Sequence, residues 1–417
     1  MPVVFNPFEP GFFDDPYHQY RQLREQDPVH LSPLGLWMLF DYDDCFALLR
    51  NPRTSVDLAN EHELSTEARA ERLRMFQELF PDRSPRESTG ILFVDPPDHT
   101  RLRSLMSKVF TPRRVEQLRG TVQELVDELL DEVTTEGRMD LIADLAFPLP
   151  FTVISEMLGM PEADRLQLRE WSHAMVKMLD PILTPEEMRS AVTAAEHMFD
   201  HIAEVIRWKR DHLAEDLLSA LITAEEGGDV LSSEELTDQV SLLFVAGHET
   251  TVNLIGNGVL ALLRNRPQLE LLQRDHSLDA NAVDELLRYD SPVQFSRRIT
   301  REEVRFGDRV IEPGRFVMTC LGSANHDPAV FGDDADQLDV RRATAGRHLA
   351  FGSGIHHCLG AALARLEGQV AIGTLVRRFP DLDLATDQPR WNNRIVLRGL
   401  EELPLTFTPT TARARAG

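Results

Sequence analysis

Apolar residues recur along most of the chain at the spacing of a buried helical face. From 98 to 119, Leu102, Leu105, Met106, Val109 and Phe110 form such a stripe, with Pro96 and Pro97 at its start, where proline is tolerated. Residues 120–133 and 186–208 read as further amphipathic helices. The longest pattern runs 233–264, opened by Ser232 and Glu235 spaced as a capping box and followed by Pro267. At about 1.5 Å per residue it predicts a helix of roughly 48 Å. Residues 280–290 predict a short helix stopped by Ser-Pro. Residues 358–378 predict another, with Leu359, Leu363, Leu366 and Val370 on one face. Strand patterns are confined to 35–41, 304–320 and 395–409. The expected fold is mainly α with a minor β part: one large α+β unit over 1–417, a long central helix and a loose tail from about 408 to 417.

Composition narrows the classes of function. A net charge of −24 counts against a nucleic-acid binder. Three cysteines, far apart, do not make a disulfide framework and fit a reducing compartment. The N-terminus lacks the basic and apolar segments of a signal peptide. No apolar run approaches the roughly 20 residues of a membrane helix. The expectation is a soluble cytoplasmic protein with no membrane and no nucleic-acid partner. Arginines gather at 101–114, 297–298, 341–342 and Arg347. They are either solvated faces or a landing place for an acidic partner.

Four short stretches carry chemistry. In FGSGIHHCLG, Phe351 to Gly360, two glycines precede Cys358 just before a predicted helix. A helix N-terminus stabilises a thiolate, and haem ligation is one use of such a group. A nucleophile with His356 or His357 as base, and a structural cysteine, are the other readings; zinc lacks a CxxC or HxxxH partner. In LLFVAGHETTVNLIGNG, Gly247 costs about 1 kcal/mol inside a helix. There the Thr250 hydroxyl can bond back to the Ala246 carbonyl, which predicts a helix defect. Glu249 beside Thr250 pairs an acid with an alcohol, as proton delivery requires. In ELLR, Glu285 and Arg288 share a helix face. In DPPDHTRLR, so do His99 and Arg103, two donors that could clamp an acidic group.

In this order and spacing the stretches resemble the bacterial, soluble cytochrome P450 family over nearly the whole chain. The resemblance implies haem b (heme b, iron protoporphyrin IX) with Cys358 as its axial thiolate. It implies His99, Arg103, Arg298 and His356 as donors to the two propionates, and Ala246 and Gly247 over the distal face. Phe351 and Gly352 would lie beside the ligand sulfur, Glu249 and Thr250 would relay protons, and His357 has no family role. The family often adds an arginine to the Glu–Arg pair. Here the matching place falls on Gln337, leaving Gln337, Arg341 or Arg342 for that part. The implied activity inserts one oxygen atom of O2 into a hydrophobic small molecule of macrolide, terpenoid, steroid or fatty-acid type.

With one cysteine used, the remaining two are too few for an iron–sulfur cluster held by four cysteines, so electrons would come from a separate ferredoxin or flavodoxin. That partner is expected at Arg101, Lys108, Arg113, Arg114 and Arg347. The expected pocket draws on Leu242, Leu243, Val293, Phe295, Val396, the 82–94 loop and the 171–200 region. The 82–94 loop also holds arginines, either solvated or facing a substrate carboxylate. A peroxide-driven enzyme and a non-catalytic haem-binding protein are the alternatives; the Glu249–Thr250 pair favours the O2-dependent route.

Overall fold

The computed structural model describes residues 3–33, 35–61, 67–86, 88–160, 165–226 and 229–410. The helices that frame the centre are α1 Glu67–Leu79, α2 Asp98–Val109, α3 Arg119–Val133, α4 Pro148–Met157, α5 Arg165–Met175, α6 Pro185–Arg210, α7 Ser233–Arg264, α8 Asp279–Tyr289 and α9 Ala361–Arg378. A five-stranded sheet has the order β1-β2-β5-β4-β3. Its members are β1 Val29–Leu31, β2 Trp37–Leu39, β3 Thr54–Ser55, β4 Phe295–Thr300 and β5 Phe316–Cys320. β2 and β5 run parallel and the other neighbours antiparallel, with Arg298 opposite Val317. No helix among the described residues is long and apolar enough to cross a membrane.

The central helix starts where its cap signature stands. Ser232 Oγ accepts from the Glu235 N–H at 3.1 Å, and the Glu235 carboxylate accepts from the Ser232 N–H at 2.8 Å. From Thr251 to Leu263 every residue of α7 is buried, against α4, α8 and α9 among others. Such all-round burial explains why its apolar pattern is nearly continuous rather than one-sided.

Several expectations are corrected. The 98–119 pattern is two helices. α2 ends at Val109, and a short helix, Pro112–Gln117, restarts behind the Thr111 cap with proline in its first turn. α9 begins at Ala361, three residues past Cys358. α7 runs unbroken through the expected defect: the Thr250 hydroxyl does bond the Ala246 carbonyl, at 3.0 Å, without interrupting the helix. In the expected tail, Thr408 bonds Asp381 and the Thr410 N–H reaches the Thr134 carbonyl. Residues 411–417 lie outside the described residues.

The Glu–Arg question has a definite answer. Glu285 and Arg288 on α8 are wholly buried and joined by two bonds of 2.7 Å. Arg342 is the third member: its Nε donates to Glu285 Oε1 at 3.2 Å. Gln337 contributes only its backbone carbonyl, which accepts from both arginines at 3.0 Å. Arg288 also donates to the Asn325 and Ala335 carbonyls, and Arg342 to Phe331 and Asp334. Nearby, Asp284 accepts from Arg365 at 2.7 Å and lies 3.2 Å from His348. The cysteine segment is thus bolted to α8 and α9 before its own geometry begins.

Candidate active site

The turn around Cys358 depends on its glycines. Gly352 and Gly354 adopt φ of 68° and 74°, where a side chain is strained. A Cβ on Gly354 would also meet the Leu49 carbonyl at 2.7 Å. The Cys358 N–H closes the loop onto the Phe351 carbonyl at 3.0 Å. The sulfur faces the N–H groups of Gly360 and Ala361. Cys358 presents accessible surface. Burial pushes its thiol up, opposed by those N–H groups, Arg103 and Arg365. Phe351 is half-buried and lies under the Arg365 guanidinium, 4.5 Å from its ring centre.

Four donors assemble beside this loop from three segments. His99 and Arg103 come from α2, Arg298 from β4 and His356 from the cysteine loop; the two imidazole rings are 4.2 Å apart. Burial is the largest cause of every shift here. It lowers His99, with Arg103 and Arg298 adding to it and Asp95 opposing. It pushes His356 down to about 3, with Arg298, His99 and Arg103 reinforcing. It lowers Arg298 to about 10. Asp95, the opposing carboxylate, is occupied by Ser55 and the Val56 N–H. None of the four ion-pairs with a carboxylate among the described residues, and His99 Nε2 is buried without a hydrogen-bond partner. A cleft of about 330 Å³ opens at Arg298 and His356.

On α7, Ala246 is exposed between buried Phe244 and His248, and Leu242, Leu243 and Thr250 are half-buried. Gly247 has a packing reason: a Cβ there would come 3.3 Å from Ile154 of α4. Glu249 lies 3.7 Å from Arg394 and 3.8 Å from His173 and His248. His248 donates from Nδ1 to the Phe244 carbonyl, so its Nε2 accepts from the Ser172 hydroxyl at 2.8 Å.

Two expected pocket residues are placed elsewhere. Phe295 packs edge-on against Phe5 and Tyr20, at 5.7 Å from each. Val396 is buried in the same apolar cluster. Val293 is half-buried at its margin, bridged to Leu397. The 82–94 arginines are tied to protein: Arg83 pairs with Glu196, and Arg86 pairs with Asp238 at 2.6 Å over the Phe199 ring. Arg101 pairs with Glu235 at the start of α7. Arg394 and His173 escaped sequence reasoning. Their one signal is an arginine set before the apolar run 395–397, after a turn in which Asn393 takes φ of 51°.

The family model described as Cytochrome P450 matches residues 41–398. The chain belongs to the cytochrome P450 family. It is 44% identical over 405 residues to Cytochrome P450 107B1 of Saccharopolyspora erythraea, covering 95% of this chain and 96% of that protein. It is 43% identical over 406 residues to the Streptomyces venezuelae P450 monooxygenase PikC, covering 95% and 92%. The solved structure of the Bacillus subtilis 168 bacillaene polyketide synthase P450 PksS superposes with a TM-score of 0.86 at 38% identity, covering 97% of this chain and all of that one. The P450 fold and the monooxygenase class follow, and with them a haem-thiolate cofactor.

The residues present suit such a cofactor. An orphaned buried imidazole and two arginines without carboxylate partners form a site for an acidic group, and the P450 cofactor carries two carboxylates. Beside it stands a cysteine sulfur met by two N–H donors.

Proposed function

We propose that this P450 holds haem b through Cys358, with His99, Arg103, Arg298 and His356 taking the propionates. The bound haem would supply O2 activation, with overall balance RH + O2 + 2 e⁻ + 2 H⁺ → ROH + H2O. The protein's own part is to keep water from the reacting carbon, hold the substrate against Ala246, Leu242 and Leu243, and move protons. Glu249 and Thr250 are adjacent on α7, and Thr250 keeps its hydroxyl close to the helix by bonding Ala246. We assign them the proton relay.

The observation that carries this reading is the pair of arginines without carboxylate partners and the orphaned His99 imidazole beside the accessible Cys358. The apolar half-buried residues favour a hydrophobic substrate, and the similarity to polyketide-pathway P450s favours a polyketide or fatty-acyl type. Electrons would come from a separate ferredoxin or flavodoxin, and the site of action would be the cytoplasm. We read 1–417 as one catalytic unit. The test is the reduced, carbon monoxide-treated spectrum followed by a screen of hydrophobic compounds for spin-state shifts. A thiolate-type spectrum and substrate-dependent reductant consumption are expected. An imidazole-type spectrum contradicts Cys358 ligation, and a thiolate haem that turns nothing over contradicts the enzyme reading.

A further inference from the structure

The carboxylate of Glu249 is faced by a guanidinium and an imidazole from outside its own helix. The Arg394 guanidinium bridges two elements: Nη1 lies 3.7 Å from Glu249 Oε2 on α7, and Nη2 donates to the His173 carbonyl on α5 at 3.1 Å. The His173 ring faces the other carboxylate oxygen at 3.8 Å. One residue earlier on α5, Ser172 bonds His248, the neighbour of Glu249. The segment after α5 is tied to the same loop: Asp180 accepts from the Val396 N–H at 2.8 Å. Arg72 of α1 donates to the Asp180 and Met178 carbonyls, the former at 3.1 Å. Thus α5, α7 and the loop 392–396 meet around one acid, and α1 braces the segment that follows α5. Arg394 itself is only 6% exposed, so its side chain is held in place by what it touches.

We propose that Arg394 is the positioning residue for Glu249, holding the acid's carboxylate only while α5 is docked on α7. Proton delivery is thereby available when the cavity is covered and lost when α5 lifts. The inference rests on the proton-relay reading of Glu249 and adds its control. The physical reason is geometric. A carboxylate on a single helix can rotate about its own torsions. A guanidinium anchored to a second helix restricts it to the orientations that both helices allow. Removing α5 takes away the His173 carbonyl, the His173 ring and the Ser172 hydroxyl together.

The test compares Arg394→Gln, Arg394→Lys and Glu249→Gln holoenzymes by two readouts. The first is the share of reductant that ends as peroxide, followed across pH. Arg394→Gln should raise that share several-fold, toward the Glu249→Gln value. Arg394→Lys, which keeps the charge, should restore most of the coupling. The second is the titration of His173 by NMR in the ferrous carbonyl form. Burial and then Arg394 hold this imidazole down, with Lys177 and Arg169 on its own segment adding to them and Glu249 opposing. Arg394→Gln should therefore raise the His173 pKa and Glu249→Gln should lower it. Wild-type coupling in Arg394→Gln beside an uncoupled Glu249→Gln overturns this proposal alone. So does a His173 titration that neither variant moves. A Glu249→Gln enzyme that stays coupled overturns the relay reading, and this proposal with it.

Discussion

The chain gathers two groups of basic side chains, and they are built differently. Around Glu285, two guanidiniums share one carboxylate, and their remaining N–H groups donate to backbone carbonyls of 325–337 and to Asp334. Around His99, two arginines and two imidazoles converge with no carboxylate ion pair among the described residues, and burial lowers the pKa of each. The first group is complete and serves the fold. The second is incomplete, and a buried charge without a partner is costly, so its place in a folded protein implies a partner from outside. Counting arginines does not separate the two groups; counting their carboxylates does, since among the described residues Arg298 donates only to the Ser296 hydroxyl and the Arg297 and Leu49 carbonyls.

The comparison breaks most sharply if one group is made to behave like the other. Glu285→Gln leaves buried Arg288 without its anion and Arg342 with Asp334 alone, and should cost about 3–5 kcal/mol of folding stability. Denaturant unfolding reads this directly, and a loss below about 1 kcal/mol, the worth of an ordinary hydrogen bond, would remove the distinction. Arg298→Leu should do the reverse. The haem-free protein should hold or gain stability, while haem dissociates on the order of 10- to 100-fold more readily, the worth of one charge-assisted hydrogen bond. If the variant unfolds yet retains haem normally, the cluster is structural.

Glu367 is the mirror image, a buried carboxylate with no ion-pair partner among the described residues. It is 1% exposed, Oε2 has no hydrogen-bond partner, and burial pushes it up to about 8, opposed by Thr251. Because the folded value lies above the ordinary 4.5, its contribution to stability is full below 4.5 and lost as pH rises through about 8. Glu367→Gln should flatten that decline in a pH series of melting temperatures; an unchanged slope would show that Glu367 is not its source. The smallest effect concerns exposed cations. Charge reversal at Arg113 and Arg114 should slow reduction by a ferredoxin or flavodoxin and weaken its salt dependence. Equal stopped-flow rates at low and high salt, matching wild type, would place the docking face elsewhere.

What the sequence made legible was local. The Ser232–Glu235 cap, the Thr250–Ala246 bond and the glycine turn before Cys358 each lie within a few residues, where helix and turn chemistry act directly. Arg342 stayed one of three candidates because closing the Glu285 pair requires a contact across 57 residues. Phe295 was misplaced because a strand carries neighbours to opposite faces, and the residues that claim its ring, Phe5 and Tyr20, lie at the far end of the chain. Arg394 and His173, 221 residues apart, meet Glu249 only in the folded molecule.

The most direct test of the account is the affinity of the haem-free protein for haem against haem dimethyl ester, whose carboxylates are blocked. The wild-type protein should bind the diester roughly 10-fold or more weakly, given the worth of a charge-assisted hydrogen bond, and Arg298→Leu should narrow the gap. Equal affinities in the wild type would contradict the claim that the cluster of His99, Arg103, Arg298 and His356 exists to receive the two carboxylates.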